Sequence, residues 1–286
     1  MELLIEQLLL KFECQIEESI FYEDSFVQFW HSAVIDKNGN PISGGFSFDK
    51  MQARKIALAE FIERKKVNEL FSISDRSKKI WGFDLIPTAC GFAAGFNLQN
   101  TIQRSINEAV ERWVMSKWID DGYQIEQMNQ SDIKGLDPAS EFFISQFDEV
   151  LFFKKEVAIQ INDQFQKITV GQTMGLTEFG IFPGSSAQFS HGQVWQHALL
   201  ESYRHFLGVK NNPDFSTFPG NKVLFFARNK QIALDQINKA TKEIWPTPEI
   251  ILHQNQSFAS DSYFLARTII SGWQSWNLGP IERFLY

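Results

Sequence analysis

CGFAAGFNLQNTIQRSINEAVERWVMSKWI, residues 90–119, runs a short glycine- and alanine-rich stretch straight into a long segment in which Ile102, Ile106, Ala109, Val110 and Trp113 recur at intervals of three and four. That spacing puts one apolar stripe on a helix from about 98 to 119, and CGFAAGF (90–96) reads as the strand that delivers it. The same order occurs upstream, where SGGFSF (43–48) leads into a helix over 49–71 capped by Asp49 or Ser47. Both helices carry a charged triplet: Glu60, Glu63 and Arg64 in LAEFIERK, and Glu108, Glu111 and Arg112 in INEAVERW, 48 residues further on. A third segment, ALLESYR (198–204), repeats the ALxE of ALAE (57–60) and puts Glu201 in a like setting. The segments between the helices share no pattern and the third copy falls out of period, which favours internal pseudo-repetition within one core over a solenoid.

The rest of the chain reads as further short elements. MELLIEQLLLKFE is an amphipathic first helix, SFVQFWHSAVI (25–35) a strand, and DKNGNP the turn of a hairpin closed by SGGFSF. EVLFFKKEVAIQIN and KITVGQTMGLT are strand-like, and 191–208 is a helix with His191 at its start and Gly208 at its end. KVLFFA (222–227), a helix over 229–244, EIILHQN and SYFLARTIIS close the chain. Pro and Gly fall singly at turns rather than in a linker, so one domain over 1–286 is expected.

Composition narrows the function classes. With 44% hydrophobic residues in 286, the chain has ample material for a core, and its 28 Phe and 8 Trp lie in apolar segments, as core residues do. A net charge of −7 argues against a nucleic acid or anionic membrane bound by bulk electrostatics, and Arg76, Lys78 and Lys79 read as a solvated loop. The N-terminus has no basic leader, and no apolar run approaches the ~20 residues that span a bilayer. Two cysteines, Cys14 and Cys90, make neither a disulfide framework nor a zinc site, so a reducing cytoplasm is expected.

The glutamates allow two readings. Glu108 and Glu111 lie with Thr101 and Arg104 opposite the apolar stripe, the pattern of an ordinary solvated face. Glu60 and Glu63 instead share their side with Ala53, Ile56, Ala57 and Ala59, and paired carboxylates among small residues suit a hard cation such as Mg²⁺ that bridges to phosphate. His197, Glu201 and His205, spaced four apart on one helix, allow a transition-metal site and hence a hydrolase, although the spacing is not that of known metalloprotease helices.

GGFSFDKMQARKIALAEFIER resembles the first motif of the YcaO family, and CGFAAGFNLQNTIQRSINEAVERWVMSKWI its second. ALLESYR is similar to the third, glutamate-bearing motif, and LARTIISGWQSWNLGP to the C-terminal strand and its turn. The resemblance runs from about residue 25 to the end. It implies an α+β fold of antiparallel sheets packed against long helices in pseudo-repeated strand-helix units. It also implies a domain that binds ATP and Mg²⁺ and phosphorylates a peptide-backbone amide oxygen during attack by a nucleophile, giving azolines by cyclodehydration or thioamides. Carried over by position, Glu60, Glu63, Glu108, Glu111 and Glu201 would be the Mg²⁺-nucleotide ligands of one shared cleft. Arg112 would pair with phosphate or orient a carboxylate, and Arg267 is a second candidate for that work. The implied partners are a peptide or protein substrate, a companion activating protein or homologue, or a second copy of the chain.

Four positions depart from the family pattern. Ile56, Phe96 and Asn100 stand where polar residues or Glu are usual, and Arg204 stands where Gln is common. These changes weigh against nucleotide binding and define the alternative: a catalytically degenerate domain that holds a peptide or an active homologue.

Overall fold

A computed structural model describes residues 2–23, 27–72, 75–161, 163–189, 194–211, 220–258, 262–275 and 278–283. Its elements are, in chain order, α1 (Glu2–Phe12), β1 (Gln15–Glu23), β2 (Gln28–Ile35), β3 (Pro41–Ser47), α2 (Lys50–Ser72), α3 (Asp75–Ile80), β4 (Phe92–Gly95) and α4 (Leu98–Ile119). They continue with β5 (Glu126–Met128), α5 (Pro138–Ile144), β6 (Glu149–Ile161), β7 (Gln164–Leu176), β8 (Ile181–Gln188), α6 (Val194–Asn211), α7 (Gly220–Phe226), α8 (Lys230–Asn238), β9 (Ile250–Phe258) and β10 (Tyr263–Ile270). The expected α+β class is what is found, with antiparallel strands in three sheets ordered β1-β2-β3, β4-β10-β9 and β5-β6-β7-β8. Two compact units divide the chain: Met1–Ile106 with Leu252–Ile269, and Asn107–Ile251 with Ile270–Tyr286.

In the first unit, α2 lies across the β1-β2-β3 meander. Asp49 caps the helix, its Oδ1 accepting the Gln52 N–H at 2.6 Å. The apolar stripe of α2, Leu58, Phe61 and Ile62, is buried with Ile5 and Leu8 of α1, Val34 of β2 and Phe92 of β4. The small side of the helix receives β3. A Cβ on Gly45 would drive into the Ala53 carbonyl and the Ala57 N–H, and the Ser43 hydroxyl donates to the Ala57 carbonyl at 2.7 Å. The alanines beside Glu60 therefore allow a strand to approach the helix backbone.

The second unit repeats the plan with a longer meander. Its sheet is covered on both faces: neighbouring residues of β6 point to opposite sides, Phe153 against Trp118 of α4 (ring centroids 4.8 Å apart) and Phe152 against Trp195 of α6 (5.4 Å). Gly184 of β8 is to α6 what Ser43 of β3 is to α2, its missing Cβ leaving room for the Ala198 carbonyl and the Ser202 hydroxyl.

Several details differ from the sequence reading. Gly208 does not end α6, which continues to Asn211; Gly208 takes no positive φ, and a helix interior tolerates glycine at about 1 kcal/mol. KVLFFA has its first five residues in α7, and Ala227 follows the helix. The helix expected over 229–244 stops at Asn238, because Thr241 N and Lys242 N both donate to Gly122 O at 2.9 Å and draw the chain out of helical geometry. β1, β5 and β8 are additional strands and α3 and α5 additional helices, α3 taking in Arg76, Lys78 and Lys79 of the expected loop; His191 lies outside the described residues.

Candidate functional site

β8 is the last strand of its sheet, so one side of its backbone has no neighbouring strand. Glu201 of α6 serves that side: its Oε2 accepts the Ser185 N–H at 2.7 Å and lies 3.3 Å from the Ser185 hydroxyl. The same hydroxyl donates to Oε1 of Glu111 on α4 at 2.7 Å. One serine thus joins carboxylates from two helices. Arg112 stands beside them, its Nη2 3.5 Å from Glu111 Oε1.

Glu111 is only 8% exposed, so the solvated-face reading of that side of α4 is corrected. Thr101 is buried as well, its hydroxyl donating to the Asn97 carbonyl at 2.7 Å. The tail of α4 places Glu111 over the sheet because the apolar stripe is wider than Ile102, Ile106, Ala109, Val110 and Trp113 suggest, with Val114, Met115 and Trp118 also buried.

Burial pushes the Glu111 carboxyl up to about 7, the charges of Glu201 and Glu108 add to the rise, and Arg112 and the Ser185 hydroxyl oppose it. Burial acts the same way on Glu201, but His205, Arg112, His197 and the Ser185 N–H together outweigh it and hold that carboxyl below its ordinary value. The pair is therefore asymmetric. Near neutral pH Glu201 is ionised while Glu111 is poised to hold or release a proton.

The remaining assigned residues have surroundings of their own within their units. In the first unit Glu60 accepts the Gly44 N–H at 3.1 Å and is ion-paired with Arg64, whose guanidinium also donates to the Ile42 carbonyl. Glu63 sits one turn along α2, partly exposed, and Glu108 is likewise partly exposed on α4. Arg267 of β10 is fully buried, stacked 4.0 Å over Phe83, and donates to the carbonyls of Trp81, Ile86 and Thr88 at 2.7–2.8 Å. Its visible work is to hold the 81–88 loop. Asn100 begins α4 with its N–H on the Asn97 side chain, and Phe96 packs on the core of the first unit.

Among the described residues, no three His, Cys, Asp or Glu side chains are gathered to hold a metal ion. The transition-metal reading of His197, Glu201 and His205 loses its basis, since zinc takes three or four protein ligands and these side chains are not gathered as such a group. A pair of carboxylates does fit Mg²⁺, which commonly takes one or two from the protein and fills its octahedron with water and phosphate oxygens. Glu111 and Glu201 make such a pair, and a cation would offset the charge that burial penalises. Sequence reasoning missed Ser185, the residue that joins them; the one signal was its place in a Gly-Ser-Ser run just ahead of the Glu201 helix.

No family model and no curated protein matches the sequence. Solved structures do match in fold. The YcaO from Methanopyrus kandleri bound with AMPPCP and Mg²⁺ superposes with a TM-score of 0.60 at 11% identity, covering 95% of this chain and 90% of that one. A heterocyclase in complex with substrate and cofactor gives 0.57 at 12%, covering 95% of this chain but 52% of its own, so this chain spans about half that protein. The E. coli microcin synthetase McbBCD complex with pro-MccB17 bound gives 0.58 at 12%, covering 88% and 86%.

Proposed function

We propose that this chain, which has the YcaO fold, uses ATP and Mg²⁺ to activate a peptide-backbone amide, with Glu111 and Glu201 as cation ligands. The observation that carries the reading is the convergence of those two carboxylates from different helices on Ser185. ATP with Mg²⁺ would supply a phosphoryl group to an amide oxygen, which turns a poor leaving group into a good one. Ser185 holds the two carboxylates at a fixed separation by donating its N–H to one and its hydroxyl to the other. Arg112, beside Glu111, is the cation that this reading assigns to a phosphate, and it balances the acidic pair in the phosphate's absence. Glu108, whose charge adds to the rise of Glu111, would be a Mg²⁺-nucleotide ligand by its place in the repeated triplet rather than a third carboxylate on the ion held by Glu111 and Glu201. Arg267 acts through the 81–88 loop that it holds. Glu60 and Glu63 of α2 would be further Mg²⁺-nucleotide ligands on this reading, and loss of metal-dependent binding in their Gln variants is the result expected.

The products on this reading are azolines or thioamides, the substrate is a peptide, and a companion activating protein, a homologue or a second copy completes the system in the cytoplasm. The pro-MccB17 bound in the microcin synthetase complex and the AMPPCP and Mg²⁺ bound to the Methanopyrus kandleri YcaO support that direction. No helix among the described residues is long and apolar enough to cross a membrane.

Isothermal titration with ATP and Mg²⁺, repeated without Mg²⁺ and with Glu201→Gln, tests the proposal. Metal-dependent binding that the variant loses is the expected result. Folded protein that binds no nucleotide would overturn it and favour the degenerate-partner reading, for which Ile56, Phe96 and Asn100 are the supporting departures.

A further inference from the structure

Gln172 of β7 stands opposite Ser185 of β8 in one register and opposite Phe153 of β6 in the other. Directly paired residues share a face of the sheet, and this row of three lies under α4: Phe153 packs on Trp118, and Ser185 donates to Glu111. Gln172 is fully buried. Its amide nitrogen reaches only the Thr173 carbonyl at 3.4 Å and Met174 Sδ at 3.8 Å, both acceptors, which fixes the amide with its NH₂ toward them. The carbonyl oxygen, turned the other way, has no hydrogen-bond partner.

A buried acceptor left unmet is a net loss to stability, and an apolar side chain between Phe153 and Ser185, with Met174 alongside, would avoid it. Glutamine there is explained by something that comes and goes. A divalent cation at the neighbouring carboxylates supplies what the oxygen lacks, either as the ion itself or as a water in its shell. An amide oxygen is also the right donor for this place, because it adds a hard ligand without adding a third negative charge.

We propose that Gln172 is a third, neutral oxygen ligand for a divalent cation held beside Ser185 by Glu111 and Glu201. The inference rests on the proposed function and deepens it. It makes the unbound protein carry a built-in defect that the cation relieves, so stability and affinity respond in opposite directions to the same substitution.

The test uses the full chain with Mn²⁺ as the probe, in the presence of ATP, alongside thermal unfolding of the metal-free protein. Gln172→Leu is expected to raise the metal-free Tm by about 2–4 °C, as removal of one unmet polar group should in a chain of this size, and to weaken Mn²⁺ binding about tenfold. Gln172→Glu, which restores an oxygen ligand but adds charge, should bind Mn²⁺ at least as tightly as the wild type and lose Tm without metal. If wild type and Gln172→Leu bind Mn²⁺ equally, or if the Leu variant unfolds at a lower temperature, the amide is structural and the inference fails while the proposed function stands. If the wild type binds no Mn²⁺, both fail together.

Discussion

Glu201 on α6 accepts the backbone N–H of Ser185 on β8, and donor and acceptor are 16 residues apart. Glu60 on α2 accepts the N–H of Gly44 on β3 across the same separation of 16. Each glutamate reaches round the last strand of a meander and satisfies a backbone donor that no further strand pairs. The repeated ALxE is therefore first a structural device, with alanine admitting the strand and glutamate closing its edge. Any ligand chemistry in these helices is built on carboxylates that already hold the fold together.

Removing such an acceptor should cost more than neutralising it. Glu60→Ala leaves the Gly44 N–H without the carboxylate and frees Arg64 from its ion pair, so a loss of about 1–2 kcal/mol is expected. Glu60→Gln keeps an acceptor in place and should lose less than half as much in urea unfolding. Equal losses in the two variants would show that charge, rather than the edge hydrogen bond, is what Glu60 provides.

The close approach of strand to helix gives a sharper expectation. A methyl group at Gly45 meets the Ala53 carbonyl and the Ala57 N–H, and one at Gly184 meets the Ala198 carbonyl and the Ser202 backbone. Because the obstacle is helix backbone in both cases, relief requires the strand to move away, and each Gly→Ala change should cost about 3 kcal/mol or more. Gly135, with open space around its Cβ position, serves as a control from the same chain. Its positive φ penalises alanine by a smaller, conformational amount.

How much of this was legible in the sequence depends on how each element is buried. The two long helices could be read to within a residue or two of their ends, since α2 and α4 each present one apolar stripe and a cap. β8 was invisible because IFPGSSAQ is buried on both faces and shows no alternation, and Pro183 and Gly184 read as a turn. β1 was hidden by its acids, for QIEESIFYE has weak strand propensity until Arg54 and Lys50 of α2 neutralise Glu18. The glutamates of the site were found by spacing and resemblance. Ser185 and Gln172 were not, because nothing local marks a residue whose role comes from a strand register and a helix 74 residues away.

Glu18 supplies the clearest dependence on acid. Hydrogen bonds from Arg54, at 2.6 and 2.9 Å, and from Lys50 lower its carboxyl to about 2 from 4.5, against the effect of burial. A depressed carboxyl stabilises the fold fully above its unfolded value, near 4.5, and loses that contribution as pH falls toward 2. Allowing for solvent screening, the contribution is on the order of 1 kcal/mol. Glu18→Gln should trail the wild type by about that much at pH 6 and match it near pH 2; a gap as wide at pH 2 as at pH 6 would refute the assignment.

Glu111 should show the opposite dependence. Burial raises its carboxyl to about 7 from 4.5, so the folded chain holds a proton that the unfolded chain has already released. The resulting stabilisation is complete below pH 4.5 and is lost as pH rises to about 7, which makes ionised Glu111 a cost on the order of 3 kcal/mol in neutral and alkaline solution. Glu111→Gln stays neutral and keeps an acceptor for the Ser185 hydroxyl, so it should equal the wild type near pH 5 and exceed it at pH 8. Saturating Mg²⁺ with ATP should then narrow that gap at pH 8 by stabilising the wild type more than the variant, because a carboxylate gains more from the cation than an amide does. A variant no more stable than the wild type at pH 8 would mean that Glu111 does not suffer in its buried place, and a gap untouched by Mg²⁺ and ATP would mean that its charge waits for something other than a metal.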